Sequence, residues 1–545
     1  MIHAMRKRII IVLVLIAPLI AHSQFVIRPG TTDFDYYRLL VLKNPDLNTG
    51  LNVVNFSRPI YDDSASWNLW ERPLQKDKKF NLIDPNISFL YNTRLNRSVN
   101  DGAVWSGKGM NSSFSFGAKG EIPVGKKVAL KYTFLPIVFF AQNQSFYIPD
   151  FTTTKSEYSY PFANKLDMVE RYGDNSLAKF DLGQTDISLS YNRLGIGFST
   201  QNMFWGPGYR NPVLVSQNAG GFPHIYLGSI EPFDTKIGKI EFRNYWGALK
   251  ESDYFDDNQD NNRRYITGMT FAYQPNFVKG LTIGANRILY RSWEDKELRP
   301  SDAFTSVLKF DKTRDEDIGN GTLTNDLYDQ MASVNLTWRF HEVGFEVFTE
   351  YALNDFPGDI MSFARHPDRT AGLVFGFAKL IDLKKDRILR IMYESTKLGA
   401  NQTRQIKPNF SQHPSYYIHF LVEQGYTQDG QIIGAGIGSA SNTHLLQVNL
   451  YGPKGIIGLE VQRTRFNDDF AFSYFHANNL DYIAEYEINA GIYFSRRIDN
   501  FFLETHVHFT DRLNWFYQPD AHIVNFNLGL NLRYLISKKT KLIFY

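Results

Sequence analysis

From about Ile87 to the C-terminus, apolar and polar residues exchange places at nearly every step, in runs of ten residues or more. Val524, Phe526, Leu528, Leu530, Leu532 and Tyr534 fall on one side of such a run, Asn525, Asn527, Gly529, Asn531 and Arg533 on the other. Tyr482 to Phe494 repeats the pattern. So do Phe501, Leu503, Val507 and Phe509 against Glu504, His506 and His508; Val334 to Phe340; and Val343 to Tyr351, which opposes Glu342, Glu346 and Glu350. A period of two is the mark of an extended strand with one apolar and one polar face. Soluble antiparallel sheets alternate in the same way, but their strands average about 5–6 residues, whereas a tilted membrane-crossing strand needs about 9–11. The connections add a second rhythm. Phe340-His341-Glu342, Tyr451 to Gly455 and Ser495 to Asn500 are tight, while 291–329, 398–415 and 467–481 are long. Short turns at one end and long loops at the other belong to transmembrane barrels. Between 16 and 19 candidate strands follow residue 85, and bacterial barrels are even-numbered. The expected fold is all-β: a transmembrane antiparallel β-barrel of about 18 strands over residues 84–545, ending on the aromatic Tyr545.

The N-terminus is built differently. Arg6, Lys7 and Arg8 precede an apolar run from Ile9 to Ile20, and Ala21-His22-Ser23 supplies small residues for cleavage before Gln24. Twelve residues are too few to span a bilayer, which takes roughly 20, so 1–23 reads as a secretory signal peptide. Residues 24–83 read as a small periplasmic, plug-like region, with short helices expected over Asp33–Lys43 and Asp62–Glu71. A mean hydropathy of −0.31 argues against a helical membrane protein. The 44 Phe and 31 Tyr suit a barrel with interfacial girdles. With no cysteine, disulfides, thiolate metal sites and lipid attachment through cysteine are excluded. The net charge of +3 is carried by the three basic residues of the signal. The remainder is neutral and offers no field for nucleic acid.

One stretch departs from the hairpin rhythm: Trp205-Gly206-Pro207-Gly208-Tyr209-Arg210-Asn211-Pro212, followed by Ser216-Gln217-Asn218-Ala219 and Pro223. Two glycines around a proline favour tight turns and bring Trp205, Tyr209 and Arg210 together. Aromatic faces stack on sugar C–H surfaces, and Arg and Asn supply directional hydrogen bonds. On residues alone, a structural turn with girdle aromatics is the weightier reading.

The WGPG turn with its S-x-N-A segment and following proline resembles the capsule assembly protein family Wzi. The resemblance implies an eighteen-stranded outer-membrane barrel that binds capsular or extracellular polysaccharide without enzymatic activity. It places ligand binding at Trp205, Gly206, Pro207, Gly208, Tyr209, Arg210 and Asn218, and an export machinery beneath the barrel is a further partner to expect beside the outer-membrane lipid. Gly220-Gly221-Phe222 depart from the family pattern before Pro223, so no particular polymer is implied.

The remaining signals are weaker. The acidic loop from Glu251 to Asp260 fails as a calcium-binding EF-hand, since Asn261 stands where glycine is needed and Thr267 where a bidentate Glu belongs. Thr313 to Asp317 reads as a solvated mixed-charge loop. Glu504, His506 and His508 share a strand face with Glu485 and Glu487 nearby, and a hydrogen-bonded polar lumen outweighs a metal site. No nucleotide loop, zinc-protease motif or hydrolase triad is present, so neither a cofactor nor a catalytic residue is expected. The rival to a surface lectin is a porin, with Arg339, Glu342, Glu346, Glu460 and Arg533 lining a water-filled lumen.

Overall fold

The computed structural model describes residues 23–24, 31–45, 50–53, 79–149, 156–159, 166–293, 298, 300–308, 328–354, 361, 364, 367–368, 370–399, 415–419 and 421–536. They form a closed antiparallel barrel of 18 strands. The wall begins with β1 (Asn81–Asn92), β2 (Gly109–Pro123), β3 (Val128–Phe134 and Ile137–Ala141) and β4 (Leu177–Asp181 and Asp186–Tyr191). It continues through β5 (Leu194–Ser199), β6 (His224–Ser229 and Phe233–Thr235), β7 (Gly238–Lys250), β8 (Arg263–Pro275) and β9 (Leu281–Ser292). Next come β10 (Asp329–Phe340), β11 (Phe345–Asn354), β12 (Ala371–Leu383), β13 (Arg387–Lys397) and β14 (Asn442–Gly452). The last are β15 (Gly455–Phe466), β16 (Glu485–Ile498), β17 (Phe501–Leu513) and β18 (His522–Tyr534). Pairing of β18 with β1, from Asn86 opposite Arg533 to Asn92 opposite Asn527, closes the cylinder. Two of the three broken strands are interrupted at prolines, Pro136 in β3 and Pro232 in β6, which have no N–H for the ladder.

The faces are inverted relative to a soluble sheet. On β18, Leu528 and Leu530 are 44% and 40% exposed, while Asn525 and Asn527 are buried. The same holds for Val334 and Phe375 against Asn335 and Val374 on β10 and β12. An apolar exterior over a largely polar interior is stable only when hydrocarbon is the outer solvent. Thirteen residues rising about 3.4 Å each and tilted near 45° cross the roughly 30 Å of a bilayer core. No helix among the described residues is long and apolar enough to span a membrane; the crossings are made by strands.

The interior is occupied. Helix α1 (Thr32–Lys43) is capped by the Thr31 hydroxyl, which accepts from the Phe34 N–H at 3.4 Å, and carries Asp33 and Asp35 in its first turn and Lys43 in its last, in keeping with the helix dipole. Every residue from Asp33 to Leu42 is buried. The helix lies inside the barrel at the end of the short turns, where the Leu42 carbonyl meets His341 Nδ1 at 2.9 Å. The helix expected over Asp33–Lys43 is therefore present one residue longer, and it sits as a plug in the lumen. The wall starts at Asn81, a few residues before the expected boundary.

The loop expected at 398–415 is longer: β13 ends at Lys397 and β14 begins at Asn442. Its glycine-rich part, 430–438, folds back into the lumen instead of extending the sheet. The 467–481 loop contains a ten-residue helix, α2 (Asp468–Ala477). The signal peptide through residue 22, the helix expected at Asp62–Glu71, the 313–317 loop and the terminal aromatics lie outside the described residues.

Candidate functional site

The inward faces of the strands bear buried charges, and these charges organise what fills the lumen. From β7, Glu241 accepts the backbone N–H groups of Leu51, Asn52 and Val53 at 2.8–3.0 Å. From β13, Glu394 accepts those of Tyr209, Arg210 and Asn211. From β11, Glu350 accepts that of Val213 at 3.0 Å. Irregular backbone buried at membrane depth must find such partners or forfeit the cost of an unmade hydrogen bond. The lumenal carboxylates thus specify where the β5–β6 loop, 200–223, enters the barrel.

The turn within that loop reaches α1. Gly206 sits at φ 97° and donates its N–H to Asn52 Oδ1 at 3.1 Å; a Cβ there would also press on the Glu350 carboxylate at 3.2 Å. The Pro207 carbonyl accepts from Arg38 of α1 at 3.1 Å. Arg38 pairs with Glu346 at 2.9 Å and lies 4.0 Å from the centre of the Tyr209 ring, whose hydroxyl donates to the same Glu346 at 2.9 Å. Arg210 grips Asp35 with two bonds of 3.0 and 2.7 Å, and Arg390 approaches the same carboxylate at 3.5 Å. Burial alone would raise the Asp35 carboxyl, but Arg210 and Arg390 outweigh it and hold it below its ordinary range. Further round the wall, Arg533 of β18 pairs with Asp33 and Lys43 pairs with Asp382. The helix is tied to opposite sides of the cylinder.

The burial of these groups fixes what they can touch. Trp205 is wholly buried beside Tyr245, and Tyr209 is 1% exposed. Gly206, Pro207 and Gly208 are buried as well. Asn218 is buried, its amide donating to the Ile432 carbonyl at 2.9 Å. The expectation that a sugar stacks on Trp205 and Tyr209 does not agree with this placement: neither ring has a face to offer. Arg210 borders a cavity, but its charge is already met by Asp35, so it is not a vacant guanidinium for an acidic sugar. Trp205 and Tyr209 belong to one packed hydrophobic cluster with Val213, Leu214 and Val215. The partners missing from the sequence reading are Asp35, Arg38, Asn52, Arg390 and Glu394. One signal for two of them was legible, since charges inside otherwise apolar strands need a lumenal partner.

The glycine-rich stretch of the β13–β14 loop completes the filling. Ser216 bonds the carbonyls of Ile433 and Gly434, and the Tyr417 hydroxyl donates to the Val213 carbonyl at 2.8 Å. Of the residues a porin would use, Arg339, Glu346 and Arg533 are buried in ion pairs and Glu342 is exposed in a short turn. Glu460 borders a cavity of about 340 Å³ between α1 and the β14–β18 and β1–β2 part of the wall. His506 and His508 face this cavity and bond Asn527 and Asn489, while Glu485 pairs with Arg512.

The wall, the inward plug and the loops packed above it define a plugged outer-membrane β-barrel. The chain belongs to the family described as capsule assembly protein Wzi, whose family model matches residues 141–500. Among solved structures it is similar to Wzi of Escherichia coli, described as an outer-membrane protein involved in group 1 capsule assembly and a carbohydrate-binding β-barrel. Identity there is 11%, the TM-score is 0.57, and 94% of this chain and 100% of that one are covered. OccAB2 of Acinetobacter baumannii follows at 11% identity, TM-score 0.40 and coverages of 83% and 97%. OprD of Pseudomonas aeruginosa has 9% identity, TM-score 0.39 and coverages of 89% and 97%. No curated protein sequence matches the chain.

Proposed function

We propose that this protein is a surface polysaccharide-binding barrel that helps attach or assemble a capsular or extracellular polysaccharide, and that it is not a diffusion channel. The observation that carries this reading is the filled lumen. Helix α1 and two returning loops occupy the interior, and charges from β11, β13 and β18 hold the helix and the β5–β6 loop. Membership of the capsule assembly family supports the polysaccharide as ligand. The WGPG turn then serves as a latch between loop and plug, and the ligand is met by the external loops above it. No catalytic role is proposed. An export machinery at the short-turn end, beneath α1, is part of the same reading.

The cavity favours one rival, a narrow passage along the β14–β18 side. Single-channel recording separates the two: the intact protein should conduct little in planar bilayers, and steady porin-sized conductance would refute a closed barrel. A deletion strain should shed polymer into the medium that wild-type cells retain. Unchanged cell-bound polymer would count against a role in attachment.

A further inference from the structure

Above the filled lumen, four external loops bring aromatic rings into one row. Trp515, in the β17–β18 loop, stacks on the buried Phe516 at 4.6 Å between centroids and faces Phe146 of the β3–β4 loop at 6.5 Å. Arg171 stands between Phe146 and Tyr158, 6.0 and 5.4 Å from their centroids. Tyr158 meets Tyr254 of the β7–β8 loop edge-to-face at 5.5 Å. Tyr254 meets Tyr172 at 5.6 Å, and Tyr172 rests 4.7 Å from Trp105 of the β1–β2 loop. Exposure is graded along the row. Trp105 and Tyr172 are buried, whereas Phe146, Tyr158, Tyr254 and Trp515 each keep accessible surface. Tyr147, beside Phe146, is 66% exposed.

The loop that presents Trp515 is strained. Asn514, Phe516, Tyr517 and Asp520 all have φ between 51° and 58°, a region bulky side chains avoid. Strain of this kind persists only where the surroundings over-determine it, and it clusters at ligand clamps. Here Phe516 and Tyr517 are anchored in separate buried clusters, Tyr517 against Ala471 and Phe475 of α2. Trp515 is thereby fixed at the surface end of the row.

The charges nearby indicate what such a row accepts. Arg171 is engaged at every donor nitrogen, to the carbonyls of Gly173 and Phe146 at 3.1 Å each and to Asp174 at 2.6 Å. These three bonds brace the loop and pair the guanidinium charge with Asp174. The charges around the rings are largely met by one another, Asp174 by Arg171 at 2.6 Å and Asp253 by Lys250 at 3.5 Å, with the exposed Glu157 on one side and Lys108, whose Nζ bonds the Ser145 carbonyl at 2.9 Å, on the other. With these charges offset, the row offers a polyanion no net attraction, whereas an uncharged ring with polarised C–H bonds meets the negative faces of the aromatics.

We infer that Trp515, Phe146, Tyr158 and Tyr254 form a stacking track for an uncharged, pyranose-based glycan chain. The inference rests on the polysaccharide-binding reading above and adds the contact residues and the charge class.

The test uses the full-length barrel purified in detergent. The probe is polymer purified from the medium of the deletion strain and split by anion exchange into neutral and acidic fractions. The neutral fraction should bind. Trp515→Ala and Tyr158→Ala should each weaken binding roughly three- to tenfold, with Trp515→Phe and Tyr158→Phe close to wild type and heat-modifiable mobility unchanged. Binding confined to the acidic fraction, or full affinity in both alanine variants, would overturn the track. Failure of the wild-type barrel to bind either fraction would instead overturn the polysaccharide reading itself, and the track with it.

Discussion

Single residues on this barrel are governed by which solvent they face. Leu530 looks into lipid and Asn531 into the lumen, so Leu530→Arg should cost roughly 2–4 kcal/mol near the bilayer midplane, with Asn531→Arg costing less. Folded-barrel yield on unheated gels measures the difference, and equal losses would contradict the orientation of β18. Gly206 meets a different constraint, its positive φ and the Glu350 carboxylate behind it. Gly206→Val should lower barrel yield even though the residue contacts no lipid. Asp35 has its carboxyl held below the ordinary 3.8. A carboxylate with a depressed folded value contributes stability above its unfolded value and loses it as pH falls through the folded one. The latch should therefore be steady from neutral pH to about pH 4 and weaken below it. Asp35→Asn should flatten that acid limb while costing about 3–5 kcal/mol at neutral pH, since Arg210 and Arg390 are left buried without a counter-charge. The temperature of the heat-modifiable shift, followed against pH, tests both statements.

At the scale of elements, the connections carry the organisation. Short turns such as Gly452–Gly455 sit at the end occupied by α1, and the long loops sit at the other. A tag inserted among Asp256 to Asp260 should be labelled on intact cells, and one at 453–454 should not; the reverse would invert the barrel. Helix α1 is the element on which closure turns. Removing residues 31–45 should convert a silent barrel into a conducting one in single-channel recordings, with the strands still assembled. If conductance stayed low, the two returning loops alone would be sufficient to seal the lumen. The helix was visible in the sequence as Tyr36, Tyr37, Leu39, Leu40 and Leu42 with Asp33 ahead of them. Its place inside the barrel was not, because Asp33, Asp35 and Arg38 find their partners 175 to 500 residues away.

Across the whole molecule, the inverted wall and the filled interior divide the work. The strands meet lipid and the plug and returning loops occupy the lumen, so in the function proposed above the external loops are what meets the surface polymer. Polymer retained per folded barrel is the quantity that reports this division. Trp205→Ala should lower the number of folded barrels and leave the ratio near wild type, because its ring contributes to the core. The aromatic track on the outer loops should behave in the opposite way, lowering the ratio at constant barrel number.

The two faces and the short and long connections follow from periodicity, because side chains alternate along a strand whatever the strand packs against; the strand number is bounded by it only to between 16 and 19. The turn at Gly206 to Gly208 is also legible, since glycine and proline punctuate locally. The role of that turn is not. Trp205, Tyr209 and Arg210 have the chemistry of a sugar site, and only the long-range pairing with Asp35, Arg38, Glu346 and Glu394 decides that they are spent on holding the interior. The loop from 415 to 441 is lost to the same cause: its glycines mark irregular backbone, but the partners that draw it into the lumen lie on the β5–β6 loop more than 200 residues earlier. Local pattern determines what each segment can be; closure of the barrel determines which polar groups end up face to face.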